Sequence, residues 1–222
     1  NTYGFLIGEI VRRAAGKTLG ALIREEVAGP LGADIHIGLP REHHARVAEY
    51  RWPGTSTMTP PGENATRIDR MRWNTYWNPP GISGAHWVNT PQWRMAEVPS
   101  TNGHGNARSV ARIYAALAKG GATDGLQIPG RAILKEFTTE HSRGEDVITQ
   151  HPARFGLGFQ LTQPERALGP NPNSFGHFGA GGSLGFCDPD ADVAFGYVTN
   201  DMGPRWQNPR NRALMEAVYA CL

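Results

Sequence analysis

A single imidazole lies in the stretch SFGHFGAGGSLGFCDPDADVAFGYVTND, which runs from Ser174 to Asp201. Around His177 stand five glycines: Gly176, Gly179, Gly181, Gly182 and Gly185. Glycine lets a backbone approach another group with no side chain in between. A strand built this way, lying at a sheet edge, can aim unpaired N–H groups at negative charge. The imidazole beside it can donate or accept a proton near neutral pH. The plainer reading of the same residues is turn chemistry with a structural histidine, and both stay open at this point.

Other residues with chemical potential are fewer. His104 stands in NGHGNARS, just before a predicted helix with Asn106 as its N-cap, and is a candidate to line a cleft. Glu42, His43 and His44 lack the His-Glu-x-x-His spacing of a zinc site, so no metal or other cofactor is expected. Asp188, Asp190 and Asp192 resemble part of a calcium loop but read more simply as the tip of a hairpin.

The elements that must position these residues follow from periodicity. Tyr3, Leu6, Ile7, Ile10, Val11 and Ala14 repeat as one buried helical face, which Gly16 ends. Thr18 is the expected N-cap of a second helix that stops at Gly29-Pro30. ADIHIGLP alternates like a short strand. Val110, Ile113, Tyr114 and Leu117 stripe a further helix that Gly120 and Gly121 close, and another helix runs near Gly130 to Thr138. The period then becomes two. RFGLGFQL reads as one strand with Phe155, Leu157, Phe159 and Leu161 on one side. DVAFGYVTN places Val193, Phe195 and Tyr197 opposite Ala194, Gly196 and Val198. The small face suits a closely packed helix, and the last one, striped by Leu214, Val218 and Cys221, is the expected cover.

Five tryptophans, Trp52, Trp73, Trp77, Trp87 and Trp93, fall between about 51 and 100 among many prolines. A linker has no use for so much indole, so this region reads as ordered, irregular insertion: either plain core or the wall of a binding cleft. The order of elements, with helices first and an antiparallel sheet and closing helix after about 152, is an α+β pattern without βαβ alternation.

Composition narrows the function classes. Net charge is +2 over 222 residues, with no long basic block, so nucleic acid and anionic membranes are not expected partners. No apolar run reaches the ~20 residues that span a bilayer. Cys187 and Cys221 are far apart and read as buried free thiols rather than a disulfide or redox pair, which leaves the compartment open.

TYGFLIGEIVRRAAGKTLGALIREEVAGPLGADIHIGLP, NGHGNARSVARIYAALAKGG, RFGLGFQL and GHFGAGGSLGFCDPDADVAFGYVTN, taken in order, resemble the serine β-lactamase/penicillin-binding-protein superfamily. The nearest branch is that of the β-lactamase-fold esterases, the family VIII carboxylesterases. The resemblance implies an antiparallel sheet flanked by helices. It also implies a Ser-x-x-Lys nucleophile and base, a catalytic Tyr, and a Lys/His-Thr/Ser-Gly strand along the cleft. His177, Phe178 and Gly179 occupy that strand motif. Phe178 replaces the usual hydroxyl residue that would hold a substrate carboxylate, so an apolar ester or amide fits better than a β-lactam. By the same resemblance the Ala180 N–H is one oxyanion donor, His177 orients or relays a proton, and Phe178, Gly179, Gly181, His104 and Trp87 are expected at the substrate.

Lys17, Lys119 and Lys135 are each preceded at the required distance by alanine, so no Ser-x-x-Lys is present. The catalytic Tyr would fall two or three residues before Asn1. The whole of 1–222 is therefore expected to be the C-terminal part of one hydrolase domain, partnered by an N-terminal segment of the same protein and inactive alone. A small-molecule ester or amide is the expected substrate. A β-lactamase or D-Ala-D-Ala peptidase, and a non-catalytic scaffold of the same fold, are the competing readings.

Overall fold

The computed structural model describes residues 2–52, 60–123, 126–127, 131–204 and 207–222. Helix α1 (Thr2–Ala15) leads into α2 (Leu19–Leu22), which widens into a π-helical turn over Ile23–Ala28. Thr18 caps α2 as expected, its hydroxyl accepting from the Ala21 N–H at 3.2 Å. Strand β1 (Ile35–Ile37) is followed by a 3-10 turn over Arg41–Arg46. The tryptophan-rich region holds two helices, α3 (Arg67–Trp77) and α4 (Pro91–Met95). Its stretch 53–59 lies outside the described residues, as does Gly130 at the expected start of a later helix.

Strand β2 (Gly103–Gly105) pairs antiparallel with β1. Helix α5 (Ala107–Ala118) follows, capped by Asn106, whose side chain accepts from the Ser109 N–H at 2.9 Å. It ends at Gly120 and Gly121, with φ of 75° and 84°, the left-handed region glycine enters without penalty. A small hairpin, β3 (Ala122–Thr123) and β4 (Leu126–Gln127), precedes α6 (Arg131–Thr138).

The remaining strands are β5 (Ser142–Asp146), β6 (His151–Phe155), β7 (Gln160–Leu161), β8 (Phe175–Phe178), β9 (Leu184–Asp188) and β10 (Val193–Tyr197), with α7 (Pro209–Tyr219) last. They form one antiparallel sheet in the order β10-β9-β8-β7-β6-β5. Helices cover both of its faces. On one, Phe178, Leu184, Phe186 and Val193 pack with Met215, Val218 and Tyr219 of α7. On the other, Phe175 and Cys187 pack with Ile113, Tyr114 and Leu117 of α5 and Leu134 of α6. Each fully buried Phe or Leu here contributes roughly 1.5–3 kcal/mol.

Five expectations change. RFGLGFQL is a hairpin rather than one strand: the chain reverses through Gly156–Phe159 and Phe155 pairs with Gln160. Gly158 permits this with φ of 93°. The small face of β9 and β10 is covered by α5, not α7. A Cβ on Gly185 would strike Tyr114 and Val110, and one on Gly196 would strike the backbone of Ala107 and Ala111. In α7 the buried positions are Asn211 and Met215, whereas Leu214 is 44% exposed and Cys221 is exposed. The stripe of α1 is also open, with Tyr3 62%, Leu6 60% and Ile10 61% exposed. Both cysteines are free, but only Cys187 is buried.

Candidate functional site

The site grows from the place where two ladders part. β8 pairs with β9 along its whole length, His177 opposite Gly185 and Phe178 opposite Leu184. On its other side β7 reaches only Phe175 and Gly176. β8 is therefore an inner strand, not the expected edge strand. Its β7-facing side becomes open at His177, where β7 has turned away into the 156–159 bend.

Alternation along β8 sends Phe175 and His177 to the α5 side and Phe178 to the α7 side. His177 is exposed, with the Phe155 ring 6.0 Å from its own. Protein crowds it nonetheless. Lost hydration lowers its pKa below the ordinary imidazole range, against a hydrogen bond to the Phe178 backbone, and the Arg166 charge adds to the lowering. The ring is thereby held neutral at pH 7, able both to accept and to donate.

Phe178 does not face this opening. It is 2% exposed and locked among Leu168, Leu184, Phe186 and Met215. Its expected place along the substrate is corrected: strand alternation makes it the core anchor of the motif.

Beyond Phe178 the chain turns through Gly179–Ser183. The Gly179 N–H donates to the Ser183 carbonyl at 2.7 Å, and the Gly182 N–H to the Gly179 carbonyl at 3.0 Å. Ala180 is exposed, and its N–H is engaged by no hydrogen bond among the described residues. Gly181 is buried under the Tyr50 hydroxyl, which a Cβ there would strike.

His104 stands elsewhere, on β2 opposite His36. Its ring is half-buried, edge-on to Trp93 at 5.9 Å. Its Nδ1 lies 2.7 Å from the Asn102 carbonyl, which can only accept, so the proton sits on Nδ1. Burial, more than the nearby charges of Arg94, His36 and His44, lowers its pKa. None of these contacts joins it to His177. Trp87 is 50% exposed and stands on Gly81, where a Cβ would lie 3.3 Å from the indole. The other described tryptophans of the region are half-buried, with Trp73 and Trp77 stacked at 5.7 Å.

Sequence reasoning missed two groups at this site. Tyr50 reaches Gly181 because its segment is tied down twice. Asn89 bonds both its N–H (2.8 Å) and its carbonyl (2.9 Å), and the Arg51 N–H donates to the Asn200 carbonyl at 2.6 Å. Nothing around Glu49-Tyr50-Arg51 signals this. The second group is Asn208, Arg210 and Asn211 at the start of α7, where NPRN is a readable helix-start signal.

A family described as Beta-lactamase matches residues 1–220 of the chain. A penicillin-binding protein homologue from Caulobacter crescentus is 39% identical, with a TM-score of 0.84 over all of this chain and 57% of that one. A family VIII carboxylesterase is 40% identical, with a TM-score of 0.82 over 97% of this chain and 55% of that one. Esterase/beta-lactamase LipL of Mycobacterium tuberculosis is 33% identical over 204 residues, 90% of this chain and 47% of that protein. The chain spans about half the length of these relatives.

Proposed function

The chain belongs to the beta-lactamase family, and from that premise we propose that it forms part of a serine hydrolase that cleaves carboxylic esters through an acyl-enzyme. The nucleophilic Ser-x-x-Lys and the catalytic Tyr come from sequence upstream of Asn1. The serine oxygen attacks the ester carbonyl carbon and passes its proton to the Lys/Tyr pair. The oxyanion so formed accepts from the serine's own N–H and from that of Ala180. Collapse expels the alcohol, which takes the proton back. Water then attacks the acyl-enzyme by the same route and the carboxylic acid leaves. Loss of one oxyanion donor typically costs ~10²–10³ in rate. His177, neutral and beside the open strand, orients or relays the proton for the Lys/Tyr pair.

The observation that carries this reading is the parting of β7 from β8 at Gly176, which leaves the β7-facing side of the strand unpaired from His177 onward, with the Ala180 N–H beyond it engaged by no hydrogen bond among the described residues. The similarity to named esterases directs the substrate class. Similarity to a penicillin-binding protein homologue supports a second reading, hydrolysis of a β-lactam.

The test uses the full-length protein with short p-nitrophenyl esters, a chromogenic cephalosporin and a fluorophosphonate label. Ester turnover well above cephalosporin turnover, with labelling of the upstream serine, is expected. His177→Ala should lower kcat by roughly 10²-fold. An unchanged rate in that variant removes the histidine from the mechanism, and a wild-type protein inert to all three reagents leaves only the scaffold reading.

A further inference from the structure

The turn carrying the Ala180 N–H is held from the far side by the first residues of α7. The Gly181 carbonyl accepts from the Gly203 N–H at 2.9 Å, from Arg210 Nη2 at 3.3 Å and from Asn208 Nδ2 at 3.5 Å. The Gly182 carbonyl accepts from Asn211 Nδ2 at 2.9 Å. Asn208 is 2% exposed and Asn211 fully buried.

The same two amides start the helix with their oxygens. Asn208 Oδ1 accepts from the N–H groups of Arg210 (3.1 Å) and Asn211 (3.4 Å), and Asn211 Oδ1 accepts from the Asn208 N–H at 3.0 Å. For capping alone, Asp or Ser would serve at the first position and an acidic residue at the second. Neither an ionised carboxylate nor a shorter hydroxyl replaces an amide N–H aimed at a carbonyl. The turn, not the helix, is what requires an amide at both places.

Planar trans peptides transmit the hold. The Gly181 carbonyl and the Gly182 N–H belong to one peptide unit, so fixing the carbonyl aims that N–H. It donates to the Gly179 carbonyl at 3.0 Å. That carbonyl shares its own peptide unit with the Ala180 N–H, which must then point the opposite way, out of the turn.

We infer that Asn208, Arg210 and Asn211 are positioning residues for the substrate carbonyl, acting through two peptide units joined by the Gly182–Gly179 hydrogen bond to hold the Ala180 N–H outward. The inference rests on the hydrolase reading above. A donor misplaced by about 1 Å can cost ~10²-fold in rate.

The experiment compares full-length wild type with Asn208→Ser, which keeps a cap oxygen but loses the amide donor, and with Asn211→Asp, which keeps its acceptor. Arg210→Gln, at a half-exposed position, serves if a buried variant does not fold. For a short p-nitrophenyl ester, kcat should fall roughly 10- to 100-fold with KM within about twofold. Inhibition by a boronic acid that mimics the tetrahedral intermediate should weaken by a similar factor. A folded Asn208→Ser or Arg210→Gln with wild-type kcat and boronate affinity overturns the inference while the hydrolase reading stands. Losses that follow only the change in Tm, with boronate affinity intact, overturn it too. A wild-type protein without ester turnover instead removes the hydrolase reading, and this inference with it.

Discussion

Tyr219, in the last turn of α7, donates its hydroxyl proton to the buried Asp188 carboxyl at the end of β9, 2.6 Å away. Asn171 donates to the same oxygen at 2.8 Å, and the N–H groups of Asp190 and Ala191 close on the other. The acidic run of the hairpin thus folds around its own first residue. Tyr219→Phe deletes one donor and leaves the others in place. A loss of about 1–3 kcal/mol is expected in denaturant unfolding of the full-length protein. A variant as stable as wild type would mean that Asp188 is satisfied without the tyrosine.

Cys187, Tyr114 and Tyr219 respond alike to alkali. Burial pushes each pKa up, with the Asp188 charge adding at Cys187 and the hydrogen bond to Asp188 adding at Tyr219. All three are neutral in the folded protein. The unfolded chain gives up its protons first, at about pH 8.5 for cysteine and 10 for tyrosine. Stability is therefore fully present below those values and falls as pH rises through them. The slope approaches about 1.4 kcal/mol per pH unit for each group once its unfolded value is passed. Unfolding free energies flat from pH 7 to 11 would contradict this. Cys187→Ala should remove the earliest part of the decline.

Gly181 and Tyr50 are coupled by space. A Cβ on Gly181 strikes the Tyr50 hydroxyl, while the ring carbon behind it is 3.4 Å away, an ordinary contact. Gly181→Ala alone should destabilise by about 1–3 kcal/mol. Adding Tyr50→Phe removes the colliding oxygen and should recover most of that loss. A thermal double-mutant cycle measures the coupling; simple additivity would show that Tyr50 moves aside freely.

His177 sets the acid limb of activity if its neutral form is the working one. Lost hydration and the Arg166 charge both disfavour the imidazolium. The kcat/KM profile of the full-length protein should therefore hold its plateau below the ~6.5 of an ordinary histidine. An acid limb centred at or above that value, and abolished by His177→Ala, would contradict the assigned environment.

Local signals were legible in the residues, and their tertiary destinations were not. Asn106 and Gly120 bracket α5 because caps and left-handed glycines act on their own neighbours. The alternation in Phe155-Gly156-Leu157-Gly158-Phe159 misleads, since period two runs unbroken through a reversal that only the freedom of its glycines betrays. A small face on β9 and β10 says that a helix approaches closely, not which one. The periodicity of α1 gives its helix correctly, yet of its apolar stripe Ile7 and Val11 are only half-buried, and Tyr3, Leu6 and Ile10 stay exposed. At the site, the glycines around His177 drew attention to the stretch, and only the family resemblance gave it a role. The amides that hold the turn lie 27 and 29 residues away in sequence, and no local pattern links a helix cap to a distant carbonyl.

One outer strand of the six has a consequence at the bench. β10 is hydrogen-bonded to β9 alone among the described residues, so its far side presents a row of unmet donors and acceptors. Such a border is a zipper for any passing chain of suitable register. Prepared by themselves at high concentration, these 222 residues should stick to one another, and light scattering that climbs with concentration would register it. A pellet in the centrifuge would then report on an open strand edge rather than on a failure to fold.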